Sequence, residues 1–444
     1  MRRLPFLWLA AWLAFALQAA SKPDHVVLIS IDGLAPDYYV HPDQYHLRIP
    51  NLRQCSQEGT ASSGVEGVFP TITYPNHTAV VTGTLPVEHG IVGNNPFDPF
   101  NKTDEGWYWY SEDLRVPALW DVVRRAGKTV GTVYWPVTVG ANVDYNFPEF
   151  RVIRSEDDVK LLRVLATPGL VSSIEKQYGK IPGERITDRI RSLAAAYIIE
   201  HHRPNLLLVH LTDLDGVQHR SGPGSPEAVA MLEQIDAHLG AIRAAARKAG
   251  IWEKTAWIIV SDHGFRKVTH EFHPRVLLCS LGYLHYGTDG KLAEWRVEAQ
   301  IDGGTFGLVA KNPDDRQAIE ELTRQVKMLA TDPRNGIAQI YSREELKKLG
   351  AFPEAFLVVE SAANFKMGEA HTGAMVTASN SKGAHGYHPA RPDQLASLIL
   401  CGPGIAAGRK LDGGRLIDVA STVADLLGLS MPTARGSVLH QALQ

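Results

Sequence analysis

Short, unbroken apolar runs constrain the fold of this chain more than any other feature of its sequence. They cover residues 26–30, 206–211, 257–261 and 397–401. Continuous rather than alternating hydrophobicity is typical of strands that are covered on both faces of a sheet. Between these runs, helical patterns occupy residues 116–126, 187–201, 226–249 and 416–427. The sequence therefore predicts an α/β fold in three layers, with a mainly parallel central sheet.

The composition bounds the function and the compartment of the protein. The chain has 444 residues, 44% of them hydrophobic and 21% charged, with a net charge of −3, so we expect no bulk nucleic-acid partner. Arg2 and Arg3 precede an apolar run and then small residues, and residues 1–20 are therefore predicted to be a secretory signal peptide. An uncleaved N-terminal membrane anchor is the alternative. We expect a secreted or periplasmic protein with no membrane span in its mature chain.

The cysteines give little guidance to the fold. Cys55, Cys279 and Cys401 are widely spaced and lack a Cys-x-x-Cys pair. This excludes a disulfide framework and a structural zinc finger, so we expect buried small apolar residues, with one bridge left open.

Residues 265–384 interrupt the strand–helix rhythm. This stretch is turn-rich, with a predicted strand at 307–310 and helices near 314–330 and 342–349. We predict an α/β core formed by 24–264 and 385–440, and an inserted α+β subdomain or lid formed by 265–384.

Residues suited to metal binding follow the predicted strands. In open α/β sheets ligands bind beyond the carboxyl ends of the strands, so side chains there share one rim. The candidates are Asp32, Asp262, His263, the pair Asp215 and His219 at helical i, i+4 spacing, and His385 in a glycine-rich loop. Asp213 is a rival for Asp215, or orients a neighbour. Asn94 offers an uncharged amide donor of the kind that holds a developing oxyanion.

Thr73 lies in the stretch 69–77, where a short strand is predicted to end in a turn and a helix. A free threonine hydroxyl is a poor nucleophile, but a divalent cation at its oxygen activates it. Two such cations about 4 Å apart would clamp both oxygens of an in-line phosphoryl displacement.

These motifs together resemble the type I phosphodiesterase/nucleotide pyrophosphatase family of the alkaline phosphatase superfamily. The likeness spans about residues 25–430, in the motifs 30–33, 70–77, 89–94, 215–223, 261–264 and 383–387. The chain departs from the family pattern at Gln218, where glycine is usual, and at His388, where an acid is common. Both departures leave the ligand residues in place.

The resemblance implies an alkaline-phosphatase-like core, two zinc ions and a covalent phosphothreonine intermediate. Thr73 would be the nucleophile, Asn94 the donor to a phosphate oxygen, and Tyr74 a contact for the organic group of the substrate, with core packing as the alternative for Tyr74. The two proposed zinc sites are Asp32, Thr73, Asp262 and His263 for the first, and Asp215, His219 and His385 for the second.

The leading hypothesis is a secreted two-zinc phosphodiesterase that hydrolyses phosphodiester or pyrophosphate bonds, with nucleotide-type substrates favoured. A phosphomonoesterase, a phosphonate hydrolase or a phospholipid-headgroup phosphodiesterase of the same superfamily is the nearer alternative. A non-catalytic binding protein is the distant one. The sequence leaves the exact substrate and the oligomeric state open.

Overall fold

The computed structural model describes residues 22–103, 106–150 and 154–444, so the predicted signal peptide at 1–20 lies outside the described residues. The helices are α1 (Asp37–Val40), α2 (Pro50–Glu58), α3 (Thr73–Thr82), α4 (Pro86–His89), α5 (Leu119–Arg125), α6 (Glu156–Leu165), α7 (Leu170–Tyr178), α8 (Asp188–His202), α9 (Asp213–Ser221), α10 (Pro226–Lys248), α11 (Pro274–Ser280), α12 (Arg316–Leu329), α13 (Arg343–Leu349) and α14 (Asp418–Leu426). The strands are β1 (His25–Ile31), β2 (Thr60–Ser62), β3 (Val130–Val133), β4 (Tyr145–Phe147), β5 (Leu206–Leu211), β6 (Thr255–Val260), β7 (Arg266–Phe272), β8 (Leu284–Tyr286), β9 (Leu292–Trp295), β10 (Val297–Asp302), β11 (Thr305–Ala310), β12 (Ile337–Ser342), β13 (Leu357–Ser361), β14 (Asn364–Met367), β15 (Val376–Ala378), β16 (Gly383–Ala384), β17 (Leu398–Cys401) and β18 (Arg409–Leu411).

The central sheet has eight strands in the order β18-β2-β17-β6-β1-β5-β3-β4. Strand β1 lies in its middle and pairs in parallel with β5 and with β6. Successive residues of β1 pack into different clusters: Val27 and Ile29 into one, Val26 and Leu28 into the other. Because both faces are covered by helices, the strands are apolar throughout. The predicted three-layer α/β architecture is confirmed.

The fourth apolar run forms a strand that runs against its neighbours. Strand β17 pairs antiparallel with both β6 and β2, although β18 and β2 are parallel. Hydrophobicity indicates that a strand is buried but not in which direction it runs. The sequence pattern therefore could not distinguish a parallel from an antiparallel strand at this position.

The four predicted core helices are confirmed as α5, α8, α10 and α14, with ends within a few residues of the prediction. Helix α10 has a clear start signal, because the Ser225 side chain accepts from the Ala228 amide and Pro226 occupies the first turn. Helices α8 and α10 pack together on one face of the sheet, and α5 and α14 contact each other on the opposite one.

Two of the three cysteines are joined. Cys55 at the end of α2 and Cys401 at the end of β17 form a disulfide across 346 residues of sequence, whereas Cys279 is a free thiol. The single bridge that the sequence left open is therefore present, and unpaired cysteines, the favoured expectation, are found only at Cys279. The pairing depends on the packing of α2 against β17, which the sequence spacing does not reveal.

Residues 265–384 contain sheets of their own. The sheet β10-β11-β13-β12 is antiparallel, and β7 pairs with β14, β15 and β16. The predicted strand and the two predicted helices of this region correspond to β11, α12 and α13. A hydrophobic cluster of residues from Phe272 to Met367 underlies these elements. The boundaries of the inserted subdomain stay a prediction.

The sequence predicts no membrane span in the mature chain, and the lengths and hydropathy of the helices can be compared with that prediction. Among residues 22–103, 106–150 and 154–444, no helix combines the length and the apolar character needed to cross a bilayer.

Candidate metal centre

The carboxyl ends of β1 and β6 bring three of the candidate ligands together. Ser30 lies opposite Val260 in the register of these strands, so the residues just beyond them meet at one rim. The His263 Nε2 atom lies 3.4 Å from Asp32 Oδ1 and 3.1 Å from Asp262 Oδ2. Asp32 is 4% exposed and the other two are fully buried. We call Asp32, Asp262 and His263 the buried group.

A second set of candidates lies beside the buried group. On α9, Asp215 and His219 share one helix face, with Asp215 Oδ1 3.3 Å from His219 Nε2. The same carboxylate oxygen is 3.6 Å from His385 Nε2. The side chains of Asp215 and His219 are 21% and 38% exposed. We call Asp215, His219 and His385 the open group.

The two groups meet at His263. Its ring stacks on that of His385, with centroids 3.6 Å apart. Ligand atoms of Asp215, His263 and His385 lie within 4.8 Å of one another, as do those of the buried group. His263 therefore stands between two potential cation positions. Its assignment to the first position alone stays a prediction.

Four polar atoms that face this centre lack a hydrogen bond of normal geometry. They are Asp32 Oδ1, Asp215 Oδ1, Asp262 Oδ2 and His263 Nε2. Buried polar groups are normally paired, and an unpaired carboxylate oxygen away from water is costly. Carboxylate oxygens and imidazole nitrogens converging in this way are typical zinc ligands, so the residues fit divalent cations.

Each histidine of the centre is oriented by a backbone carbonyl. The Nδ1 atoms of His263, His219 and His385 lie 3.0, 2.9 and 3.0 Å from the carbonyl oxygens of Gly264, Gly383 and Thr71. When Nδ1–H donates to these carbonyls, the tautomer is fixed and Nε2 is left as an electron-pair donor. All three rings are therefore prepared for ligation through Nε2.

The carboxylates of the centre compete for positive charge. Burial raises the pKa of Asp32 well above its usual value, and the neighbouring charges of Asp262 and Asp215 raise it further. Burial also opposes ionisation of Asp262 and Asp215, but the nearby charges of His263 and His219 respectively outweigh it and lower both pKa values. The three closely spaced carboxylates are in excess of the available positive charge, and bound cations would remove this repulsion.

Two further histidines support the buried group, and sequence reasoning missed both. His210 Nε2 lies 3.1 Å from Asp32 Oδ2. His77 Nδ1 lies 2.8 Å from the Thr73 carbonyl oxygen and 3.7 Å from Asp262 Oδ2. Burial lowers the pKa of both rings, which keeps them neutral. His210 lies inside an apolar run, and that polar residue in a buried strand was the available signal.

Thr73 is the first residue of α3, and it is 8% exposed. The predicted helix is confirmed, but no regular strand directly precedes it. Instead, the Asn76 side chain accepts from the Val68 amide and donates to the Pro70 and Ile72 carbonyls. These side-chain bonds replace a strand ladder and hold the turn that presents Thr73.

Thr71 ties this turn to the His385 loop. Its carbonyl accepts from the Gly386 amide as well as from the His385 ring. Its hydroxyl accepts from the Tyr387 amide at 3.0 Å and lies 2.9 Å from Gln394 Oε1. Thr71 therefore holds both the turn that presents Thr73 and His385 of the open group.

Asn94 and Tyr74 lie on the other side of Thr73. The Asn94 Oδ1 atom accepts from the Tyr74 amide at 2.9 Å, which fixes the side-chain amide and leaves its NH₂ as the donor. The Tyr74 ring is fully buried and packs against Ile91, Val137 and Trp107. This burial matches core packing, the alternative considered for Tyr74, and its substrate contact stays a prediction.

The remaining sequence candidates have structural roles. Asp213 accepts from the Asp188 amide at the start of α8 and from Arg185, so it orients neighbours rather than facing the centre. Gln218 donates to the Gly33 carbonyl and accepts from the Tyr38 hydroxyl. The His388 ring stacks near Tyr341.

Known proteins share this fold and sequence pattern. The murine ectonucleotide pyrophosphatase/phosphodiesterase 5 structure superposes with a TM-score of 0.68 at 19% identity, covering 95% of this chain and all of that one, which supports the alkaline-phosphatase-like core. Family member 5 from Homo sapiens is 28% identical over 60% of this chain and 50% of its own length. Bis(5'-adenosyl)-triphosphatase ENPP4 from Bos taurus is 22% identical over 95% of this chain and 82% of its own. For member 1 from Homo sapiens, the chain spans only 23% of the relative.

The family assignment rests on the length of chain matched by the family's sequence model. Residues 26–388 match the model described as type I phosphodiesterase / nucleotide pyrophosphatase. This stretch includes the buried group, the open group, Thr73 and Asn94. The chain belongs to the type I phosphodiesterase/nucleotide pyrophosphatase family.

Proposed function

We propose that this protein is a secreted two-zinc phosphodiesterase that cleaves phosphodiester or pyrophosphate bonds of nucleotide-type substrates through a phosphothreonine intermediate. One observation carries the proposal. Four buried, unpartnered ligand atoms of Asp32, Asp215, Asp262 and His263 converge beside the helix that begins at Thr73.

The proposed ligand sets follow the two groups. Asp32, Asp262 and His263, with Thr73, would hold one zinc ion, and Asp215, His219 and His385 would hold the other. Zinc ions bound there would act as Lewis acids that stabilise negative charge on the attacking and leaving oxygens. The ring stacking of His263 on His385 supports two close positions rather than two separate sites.

Thr73 performs the first chemical step. Its Oγ1 forms a bond to phosphorus while the bond from phosphorus to the leaving oxygen breaks. The threonine hydroxyl loses its proton and the leaving oxygen gains one. Water then cleaves the phosphothreonine and regenerates the Thr73 hydroxyl.

Asn94 stabilises charge on phosphorus oxygens during this step. Its Oδ1 is held by the Tyr74 amide, so its NH₂ group is oriented before substrate binds. Preorganised donors of this kind contribute about 2.7–4 kcal/mol to transition-state stabilisation. Thr71 maintains the distance between the nucleophile turn and the His385 loop.

Two similar proteins support the substrate class and the nucleophile. The bovine relative is named as a bis(5'-adenosyl)-triphosphatase. An inactive variant of the murine protein, with a threonine replaced by alanine, is described in complex with AMP. These properties belong to those proteins, and they favour nucleotide-type substrates and a threonine nucleophile for this chain.

The disulfide supports secretion. Bonds such as Cys55–Cys401 form in oxidising compartments and are rare in the cytosol of mesophiles. Together with the predicted signal peptide at 1–20, this favours a secreted or periplasmic location.

We also propose that residues 265–384 form the inserted subdomain, because they contain sheets of their own. The hairpin between β10 and β11 brings this region to the metal centre, since the Gly304 amide donates to the His385 carbonyl.

A substrate panel tests the proposed function. We expect purified protein with zinc to hydrolyse bis(p-nitrophenyl) phosphate and a dinucleoside polyphosphate faster than p-nitrophenyl phosphate. A choline phosphodiester tests the phospholipid-headgroup alternative. A chelator should remove the activity and added zinc should restore it. Faster turnover of the monoester would contradict the diesterase assignment, and full activity in chelator would contradict the metal requirement.

A further inference from the structure

One ligand of the open group lies on a stretch of chain that forms neither helix nor strand. His385 begins the His385 loop, which we define as residues 385–391, between β16 and a turn of 3₁₀ helix at Pro392–Gln394. Thr71 holds the start of this loop from the core side. Backbone groups outside regular structure need partners elsewhere, and those partners give the loop its shape. The position of His385 therefore depends on what holds the rest of the loop.

The hairpin turn between β10 and β11 packs against the other side of the loop. The Gly304 amide donates to the His385 carbonyl at 2.8 Å. The approach is close enough to require glycine, because a Cβ on Gly303 would lie 2.2 Å from the His385 carbonyl oxygen, and one on Gly304 would lie 2.3 Å from the Tyr387 ring. The Tyr387 hydroxyl donates to the Phe365 carbonyl at 2.6 Å. Residues 265–384 therefore form one wall around the loop that carries His385.

Glu360 of β13 holds the far end of the loop, and it is fully buried. Its Oε1 atom accepts from the His388 amide at 3.0 Å and from the Arg391 guanidinium. Its Oε2 atom accepts from the Tyr341 hydroxyl at 2.6 Å. Burial opposes ionisation of this carboxyl, but the three hydrogen bonds outweigh burial and lower the pKa of Glu360. An ionised acceptor makes stronger hydrogen bonds than a neutral one, so the far end of the loop is firmly anchored.

The contacts of Glu360 close a turn just after the metal-ligand position. His388 and Arg391 follow His385 by three and six residues, and the Arg391 amide donates to the His388 carbonyl at 3.1 Å. One carboxylate oxygen thus binds both ends of this turn. With Thr71 at the start of the loop and Glu360 at its end, the chain on both sides of His385 is held. The separation of 3.6 Å between His385 Nε2 and Asp215 Oδ1 depends on both anchors.

We propose that Glu360 is a positioning residue for the open group, which fixes the His385 loop and thereby sets the affinity of the open group for its cation. The proposal rests on the proposed function, because it assumes that Asp215, His219 and His385 bind a zinc ion. It gives residues 265–384 a part in building the metal centre. The buried group stands on the ends of central strands, so its affinity for a cation should not depend on Glu360.

Zinc titration of Glu360→Gln against a competing chelator tests this inference. Glutamine keeps the shape and one acceptor oxygen but loses the charge that binds Arg391. We expect the affinity for one zinc ion to fall by roughly tenfold, the lower end of the range for residues that support a metal ligand, and the affinity for the other to stay unchanged. In a His385→Gln background the same substitution should cause no further loss, because the residue that Glu360 positions is already absent.

Controls separate positioning from general stability. Tyr341→Phe removes the third hydrogen bond of Glu360 but keeps the ring beside His388, so it should lower the melting temperature and keep the wild-type zinc affinity. Thermal unfolding shows whether each variant is folded, and Arg391→Gln replaces Glu360→Gln in the test if the latter is not. An unchanged zinc affinity in Glu360→Gln would overturn the inference, as would an equal loss in Tyr341→Phe or an additive loss in the His385→Gln background. Fewer than two zinc ions on the wild-type protein would instead contradict the proposed function, and the inference with it.

Discussion

The buried and open groups of the proposed metal centre are built differently. The buried group stands on the ends of two central strands, and its members are at most 4% exposed. The open group stands on a helix face and a loop, and its His219 side chain is 38% exposed. Behind the buried group lie His77 and His210, which bond to Thr73 and Asp32. The open group is oriented mainly by backbone carbonyls.

This difference suggests a division of tasks. Strand ends inside the core are rigid, and a charge there is accessible to little water, so the buried group would bind its cation tightly and fix the nucleophile. A helix surface and a loop allow water to enter, which the second half-reaction of the proposed mechanism would require to cleave the phosphothreonine. The predictions below test this comparison, from the largest expected effect to the smallest.

Thr73→Ala should produce the largest loss. Removal of the attacking oxygen should lower kcat by on the order of 10⁴-fold or more, as for other covalent nucleophiles. Most of the bound zinc should remain, because Asp32, Asp262 and His263 are still present. Steady-state kinetics and metal analysis of the same preparation check both statements. Thr73→Ser, which keeps an alcohol, is the matched control, and full activity of the alanine variant would refute the nucleophile assignment.

Single ligand substitutions in the two groups should have unequal effects on zinc affinity. Asp262→Asn removes a charge at a buried position, where water cannot replace it. It should lower zinc affinity by more than the roughly 10–100-fold that is typical when a residue hydrogen-bonded to a metal ligand is lost. His219→Gln changes a ligand that water can reach, so the loss should be smaller. Zinc titration against a competing chelator measures both. Equal losses of zinc affinity would mean that the buried and open groups do not differ in how tightly they bind a cation.

His210→Asn should weaken the buried group without touching the substrate. The substitution removes the contact to Asp32 Oδ2 and should cost roughly 10–100-fold in zinc affinity. Activity measured at saturating zinc should recover more than activity measured at limiting zinc. The exposed His201→Asn is the control, and an unchanged zinc affinity in His210→Asn would remove His210 from the support of the centre.

The pH dependence of the metal-free protein should separate His219 from His385. Burial opposes protonation of His219, but the charge of Asp215 outweighs burial and raises the His219 pKa. The contribution of this ion pair to folding stability is therefore present below pH 6.5 and is lost as the pH rises through the pKa of His219 in the folded protein. Burial and the His263 charge lower the His385 pKa to about 3, so its contribution is present above pH 6.5 and lost as the pH falls toward 3.

Denaturant unfolding of the wild type, His219→Gln and His385→Gln measures these contributions. The stability difference between the wild type and His219→Gln should be largest at low pH. The difference for His385→Gln should be largest at high pH. Parallel pH trends for the two variants would show that the two histidines do not lie in opposite electrostatic surroundings.

Much of the centre could be predicted because its residues follow local patterns. Asp32, Asp262 and His263 come directly after apolar strands, and Asp215 and His219 have the i, i+4 spacing of one helix face. By contrast, His210 is opposite Ser30 in the pairing of β5 with β1, and only that pairing makes it a neighbour of Asp32.

The sequence by itself determined the α/β class, the four core helices and the rim on which the candidate ligands gather. These features depend on hydrophobic periodicity and on residues next to strand ends, which are local properties. The tertiary structure decided the antiparallel direction of β17, the Cys55–Cys401 bond and the position of His263 between both groups. Each of these depends on which distant segments pack together, and burial patterns along a chain do not specify that choice.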